Sequence, residues 1–379
     1  MISAVAVTME TEFIRVEGDE DVAPAAAAAA RALDEGKLVA FPTETVYGIA
    51  VAAGNADALQ RLRDLKDRPQ MPFSVHIGRA EDALRYVTEP PEAARRIMRK
   101  AWPGPVTLLL PTGGALADTA LQEAGLHDVL CYKNTIGLRC PSPVVARLML
   151  TGTGETIVAP SANPAGQPSP RDAETVLGYF EGRIDMLIDA GPTELGTDST
   201  IVAFDDNGWR IVREGAISRA EVAGMTLLRV LFVCTGNTCR SAMAEGIAKA
   251  ELARREGVGQ QELPAHGFEV LSAGVFAAGG APASVEAAEA VADFGADISS
   301  HRSRKLTPEL IKSSDLVFCM TDMHLAAASQ MAGGMSERVG RFDARGDVPD
   351  PIGAGPDVYR RAAERIAAVI DGLMEKGVL

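Results

Sequence analysis

The densest chemistry in the chain lies in eight consecutive residues, Cys234-Thr-Gly-Asn-Thr-Cys-Arg240-Ser241. A cysteine and an arginine separated by five residues put a nucleophilic sulfur and a forked cation into one loop. The apolar run Leu228–Val233 before the loop reads as a buried strand, and the residues after it read as a helix. A loop entering a helix N-terminus points several free backbone N–H groups at one spot, which is an anion site. Gly236 and Asn237 tolerate the left-handed backbone that such a nest needs. Thr235, Thr238 and Cys239 complete the loop, and Ser241 follows the arginine. A thiol in that field is favoured as thiolate. The chemistry this implies is attack of Cys234 on a phosphoryl-like group whose oxygens are held in the fork of Arg240.

A second set of polar clusters occupies the first half. Phe41-Pro-Thr-Glu-Thr-Val-Tyr-Gly48 leaves an apolar strand into a turn, bringing Thr43 and Thr45. Lys66-Asp-Arg68 places two cations at a helix end. Ala159-Pro-Ser-Ala-Asn163 follows a strand with Ser161 and Asn163, and Asp198-Ser-Thr200 precedes one with Ser199. Arg139 and Arg213 stand at further strand ends. Cations for phosphate, with hydroxyls and an amide for orientation, suit a polyphosphate beside a small polar partner. The residues alone reach no further than an anion-binding α/β domain.

The elements that must position these groups alternate along the whole chain. Residues 1–20 read as a loose edge strand or tail and Ala23–Leu33 as a helix. Strands are expected at Leu38–Phe41, Val106–Leu110, Thr156–Ala159 and Thr200–Phe204, and a helix at Pro143–Leu150. Ile217–Met225 reads as helix or linker. Beyond it the pattern restarts as an open parallel sheet. Strands are expected at 229–233, 268–274, 315–320 and 338–342, with helices at 240–255, 283–294, 321–330 and 356–376. Two α/β domains that meet at about 224–228 follow from this rhythm and from the 379-residue length; resemblance to known families bounds them at 12–222 and 228–379.

Composition narrows the classes. Apolar residues make up 47% of the chain, enough for two buried cores. A net charge of −14 argues against a general phosphate-backbone binder. No apolar run approaches membrane-spanning length. Met1–Glu12 carries acids and no basic segment, so it is not read as a secretory signal, and the cytoplasm is the expected location. Cysteines at 131, 140, 234, 239 and 319 form neither a disulfide framework nor a metal pattern.

The motifs of the first half closely resemble the YrdC-like threonylcarbamoyl-AMP synthase family. They include Pro42-Thr-Glu-Thr-Val-Tyr-Gly, Lys66-x-Arg68, Ser161-x-Asn163, Trp102-Pro-Gly-Pro-Val-Thr107, Gly137-Leu-Arg139, Asp198-Ser-Thr and Val212-Arg-Glu-Gly-Ala. The resemblance implies a twisted α/β domain that combines L-threonine, bicarbonate and ATP into threonylcarbamoyl-AMP, which feeds N6-threonylcarbamoyladenosine formation in tRNA through downstream transferases. It places Lys66, Arg68, Arg139, Asn163 and Arg213 on ATP. Thr43, Thr45, His76, Ser161 and Ser199 would surround threonine. Mg²⁺ is expected on the phosphates with no dedicated protein cage. The alternative for this half is nucleotide or RNA binding without synthesis.

The second half resembles the low-molecular-weight protein-tyrosine phosphatase family, with a Rossmann-like three-layer fold and a parallel sheet. Beside the cysteine loop it has Leu271-Ser-Ala-Gly274, His301-Arg-Ser-Arg304, Asp315-Leu-Val-Phe318 and Asp350-Pro351. The resemblance makes Cys234 the nucleophile, Arg240 the clamp and Asp350 the acid and base, with no cofactor and a phosphorylated protein as substrate. Ser241 would hydrogen-bond the thiolate and Asn237 would hold the loop. The loop is similar to that of bacterial protein-arginine phosphatases, which have threonine at the position of Thr238 where tyrosine-specific relatives usually have isoleucine. Ile352 departs from the phenylalanine that usually follows Asp-Pro in those phosphatases. A reversible Cys234–Cys239 disulfide is the favoured reading of Cys239, with simple packing as the alternative. Arsenate reduction would need a cysteine relay; Cys319 is the candidate, but Met320–Gln330 holds no partner cysteine.

Overall fold

In a computed structural model, residues 10–67, 72–205, 207–333 and 336–379 are described. The chain divides into two compact units between Thr226 and Leu227.

Among the described residues of the first unit, eleven strands form one mixed sheet. In chain order they are β1 (Glu12–Arg15), β2 (Val39–Pro42), β3 (Tyr47–Ala52), β4 (Val75–His76), β5 (Val106–Pro111), β6 (Cys131–Tyr132), β7 (Thr135–Arg139), β8 (Ile157–Val158), β9 (Met186–Asp189), β10 (Thr200–Asp205) and β11 (Gly208–Arg213). The spatial order is β1-β9-β2-β3-β8-β4-β7-β5-β10-β11, with β6 paired to β7. Along β2 and β3 successive side chains enter different cores. Ala40, Ile49 and Val51 join one cluster, whereas Val39, Phe41, Ala50 and Ala52 join another under the alanine-rich helix. Strands buried on both faces read as unbroken apolar runs, which is how this segment reads.

The alanine-rich helix runs from Asp19 to Asp34, starting earlier than the alanine run itself. Asp19, Glu20 and Asp21 fill its first turn, where acids complement the helix dipole. The Asp21 carboxylate accepts the N–H groups of Glu17 and Gly18. The expected strand Thr156–Ala159 shortens to Ile157–Val158, because the N–H of Ala159 leaves the ladder to donate to the Ser74 carbonyl.

The second unit has β12 (Leu228–Cys234), β13 (Phe268–Gly274), β14 (Leu316–Cys319) and β15 (Val339–Arg341), ordered β13-β12-β14-β15. All three pairings are parallel. Val230 and Phe232 pack in one core cluster, with the helices Arg240–Glu256 and Pro356–Glu375. Leu231 and Val233 pack in another, with the helix Asp322–Ala332. The sheet is therefore the middle of three layers. A short helix, Pro308–Ser313, capped by Thr307, goes beyond the sequence expectation. Because β12 has neighbours on both sides, its carboxyl end is the topological switch point, where open α/β sheets bind ligands. Cys234 is the last residue of β12.

Candidate active sites

The loop after β12 is built around Asn237. This residue is fully buried and left-handed, with φ 57°. Its Nδ2 donates to Ser241 Oγ at 2.9 Å and to Ser272 Oγ at 2.7 Å. Its Oδ1 accepts the Arg304 N–H at 2.7 Å, and its carbonyl accepts from His301 Nε2 at 2.7 Å. With an amide proton already on Ser241 Oγ, the hydroxyl's own proton can point at Cys234 Sγ, 2.9 Å away, in preference to the Ala273 carbonyl at 3.5 Å. The Asn237 N–H donates to the same sulfur at 3.2 Å. Both donors face the side where negative charge sits on an attacking thiolate. Gly274 closes the nest from behind; a Cβ there would lie 2.6 Å from the Thr235 carbonyl oxygen.

Arg240 is 4% exposed. Its Nη1 donates to the Val348 carbonyl at 3.1 Å, and its Nη2 donates to Asp350 Oδ2 at 2.5 Å and Thr235 Oγ1 at 3.3 Å. Its Nε is buried with no partner among the described residues. A buried N–H left over on a guanidinium is costly unless a ligand takes it. The same loop thus carries a sulfur and a cationic donor with bonding capacity to spare, which fits an oxyanion. Cys239 is turned elsewhere, with its sulfur 3.5 Å from both Ser284 Oγ and Tyr359 Oη; it and Cys234 are both free thiols. Cys319 is fully buried and its thiol is pushed up to about 12 by burial, which makes it a poor relay nucleophile.

In the first unit a cavity of about 370 Å³ gathers Thr43, Lys66, His76, Arg139, Ser161, Ser199 and Arg213. Thr45 and Asn163 are outside that lining but bond to two of its members, Thr45 to Arg139 and Asn163 to Lys66. Arg68 lies outside the described residues. Thr43 organises the turn between β2 and β3. Its hydroxyl donates to the Val46 carbonyl at 2.6 Å and accepts the N–H groups of Thr45 and Val46. Arg139 Nη2 donates into this turn, to Thr45 Oγ1 at 2.6 Å, Glu44 Oε1 at 2.9 Å and Thr43 Oγ1 at 3.2 Å. Arg139 is therefore already committed to a buried carboxylate, while its Nε, again, is buried with no partner among the described residues. Asn163 supports the site through Lys66. Lys66 Nζ donates to the Ser161 carbonyl at 2.7 Å, to the Asn163 carbonyl and to Asn163 Oδ1 at 3.2 Å.

Arg213 grips Ser199 through its carbonyl at 2.8 Å and its Oγ at 3.1 Å. Thr107 Oγ1 lies 2.9 Å from the same hydroxyl. His76 is buried, and burial together with the Arg139 charge lowers its pKa to about 3. With Nδ1 3.2 Å from the Ser74 carbonyl, the neutral ring donates there and keeps Nε2 as an acceptor. Among the described residues no cluster of three His, Cys, Asp or Glu side chains could hold a metal ion. No described helix is long and apolar enough to cross a membrane.

Sequence reasoning missed Glu44 as the partner of Arg139 and Thr107 as the partner of Ser199. It also missed His324, whose ring touches Thr235, and Phe276. Phe276 is 72% exposed, and its N–H donates to the Thr235 carbonyl, so it stands at the rim of the cysteine loop.

Comparison with known proteins decides the families. The Sua5_yciO_yrdC family model, described as telomere recombination, matches residues 31–215. A threonylcarbamoyl-AMP synthase of Halorhodospira halophila is 34% identical over 169 residues, covering 44% of this chain and 82% of that protein. The chain belongs to the Sua5/YrdC family. The threonylcarbamoyl-AMP synthase of Bacillus subtilis is 36% identical over 200 residues, covering 52% of this chain and 56% of that protein. The Sua5/YrdC chain thus spans about half the length of that relative. Its second unit matches the low molecular weight phosphotyrosine protein phosphatase family over residues 229–377. A low molecular weight protein tyrosine phosphatase from T. tengcongensis is 41% identical, covering 39% of this chain and 99% of that one, with a TM-score of 0.35. The chain is a fusion of a Sua5/YrdC unit with a low-molecular-weight phosphatase unit.

Proposed function

We propose that the chain is a bifunctional cytoplasmic enzyme. Its first unit makes threonylcarbamoyl-AMP from ATP, L-threonine and bicarbonate. The observation that carries this reading is the single cavity lined by Lys66, Arg139 and Arg213 together with the hydroxyls of Thr43, Ser161 and Ser199. The threonine amine attacks bicarbonate to give a carbamate with loss of water. The carbamate oxygen then attacks the α-phosphorus of ATP, and pyrophosphate leaves. The fixed cations offset charge building on the phosphates, so catalysis is mainly positioning and electrostatics. Mg²⁺ enters as part of the nucleotide substrate. The product serves tRNA modification downstream. Pyrophosphate release that requires both threonine and bicarbonate tests this; ATP or RNA binding without release would mark a binding domain instead.

The second unit hydrolyses phosphoprotein through a phosphocysteine. The carrying observation is one loop that holds both a sulfur gripped by Ser241 and Asn237 and a buried Arg240 Nε with no partner among the described residues. Cys234 attacks phosphorus with its electron pair, the leaving group departs with a proton from Asp350, and water activated by Asp350 then cleaves the S–P bond. Phosphoarginine is the favoured substrate, because Thr238 offers a hydroxyl and a small wall to a polar guanidinium. Phe276 supplies an aromatic rim where Ile352 does not. The test is the ratio of phosphoarginine to phosphotyrosine hydrolysis before and after Thr238→Ile. A fall of about tenfold or more in that ratio supports the reading; an unchanged ratio removes Thr238 from specificity.

A further inference from the structure

The imidazole of His324 is fully buried against the phosphatase loop. It sits in the first turn of the helix Asp322–Ala332, with Nδ1 2.9 Å from Oγ1 of Thr321, the N-cap residue. Its Nε2 lies 2.9 Å from Thr235 Oγ1. That hydroxyl is the one that accepts from Arg240 Nη2. Three side chains from two separate elements thus form one line: Thr321, His324 and Thr235, ending on the clamp.

We infer that His324 is a positioning residue for phosphoryl transfer, fixing Arg240 through the hydroxyl of Thr235 once Asp350 has turned to the leaving group. This rests on the phosphatase reading of the second unit.

Arg240 Nη2 has two acceptors, Asp350 Oδ2 and Thr235 Oγ1. The first must leave when Asp350 gives its proton away. Among the described residues, Thr235 is then what holds Nη2 apart from the substrate itself, while Val348 holds Nη1. A threonine hydroxyl can rotate about its C–O bond, and a second partner is what pins it. His324 is that partner, and Thr321 pins His324 in turn. The ring suits the task because it stays neutral. Burial and the nearby Arg240 charge lower its pKa to about 4, against the opposing charges of Asp350 and Asp347. A neutral ring has one donor and one acceptor nitrogen, and the two hydroxyls can each take either role. A protonated ring would add a second cation beside Arg240.

The experiment uses the full chain, with hydrolysis of an aryl phosphate and inhibition by orthovanadate as readouts. His324→Ala is expected to lower kcat/KM about tenfold and to weaken vanadate inhibition by a similar factor, because a displaced clamp holds the oxyanion less well. Thr235→Val is expected to do the same, and the double variant to be no worse than either single one, since all three remove one link. Additive losses, or unchanged vanadate inhibition, overturn the inference. If His324→Ala does not fold, Thr235→Ser and Thr235→Val read the same link. Serine keeps the hydroxyl and the vanadate affinity, and valine loses it; equal affinities overturn the inference. A wild-type chain whose hydrolysis is untouched by Cys234→Ser would instead sink the phosphatase reading itself.

Discussion

Arg240 and Asp350 are bound to each other, Nη2 to Oδ2 at 2.5 Å, so the proposed clamp and the proposed acid occupy one another. The arginine side chain is 5% exposed and the aspartate 42%, which makes the aspartate the partner free to swing away. An incoming phosphoryl oxygen competes with Asp350 for the same guanidinium. Asp350→Asn removes a charged competitor and the acid together. Hydrolysis is expected to fall by about 10²–10⁴-fold, while orthovanadate binds at least as tightly as to the wild type. Weaker vanadate binding would mean that the carboxylate holds the arginine in shape and does not merely block it.

Cys234 lies at the switch point of the second sheet, and the cavity of the first unit is lined wholly by residues before Thr226. Cys234→Ser is expected to abolish phosphate release and leave pyrophosphate release unchanged. Loss of both activities would contradict two independent sites.

The eight-residue loop was legible in the sequence because nucleophile, nest and clamp are contiguous and a strand and a helix flank them. The parallel order of the second sheet was legible for a similar reason: β12, β13 and β14 are apolar runs separated by helix-length spacers. Contacts made at long range were not. His324 and Thr235 are 89 positions apart, and Arg139 and Glu44 are 95 apart. A cation at a strand end looks the same in sequence whether it faces a ligand or a buried carboxylate. Phe276 gave no periodic signal, because its exposure comes from the turn after β13 and not from an element. The helix Pro308–Ser313 is too short to show a helical repeat. Its Thr307-Pro308 start, a cap followed by proline, was the signal available.

The Glu44–Arg139 pair is nearly closed to water, with side chains 4% and 7% exposed. The second carboxylate oxygen of Glu44 accepts from the Ser142 N–H at 2.9 Å. Removing one member of such a pair strands the other charge, at a cost of about 3–5 kcal/mol. Glu44→Gln is expected to lower the unfolding midpoint by several degrees and to slow threonylcarbamoyl-AMP formation, because Arg139 loses its anchor. Thermal unfolding and pyrophosphate release measure the two effects. A stable variant would show that Thr43 and Thr45 suffice to hold Arg139.

Lys66 holds the Ser161–Asn163 segment through three oxygen acceptors at the cavity wall. Lys66→Ala removes both this tie and the cation proposed to face the phosphates. Pyrophosphate release is expected to fall by about 10²-fold or more, and Lys66→Arg is not expected to restore it, since a planar fork cannot reproduce the compact ammonium contacts. A near-normal rate in Lys66→Ala would take the phosphate role away from this residue.

His76 makes the first unit sensitive to acid. Its pKa in the folded chain is about 3, against an ordinary 6.5, because the ring is buried and lies near Arg139. An unfolded chain takes up a proton as pH falls through 6.5, and the folded one does not until about 3. The unfolded state therefore binds more protons in that window, and stability is complete above 6.5 and declines as pH drops. At about pH 5.5 the loss from this one ring is about 1.4 kcal/mol. The isolating comparison is with His76→Gln, which cannot take the proton. Between about pH 7.5 and pH 5.5 the wild-type midpoint is expected to fall more steeply than that of the variant. Parallel slopes would show that His76 is protonated in the folded chain, and its Nε2 could not then accept from a substrate.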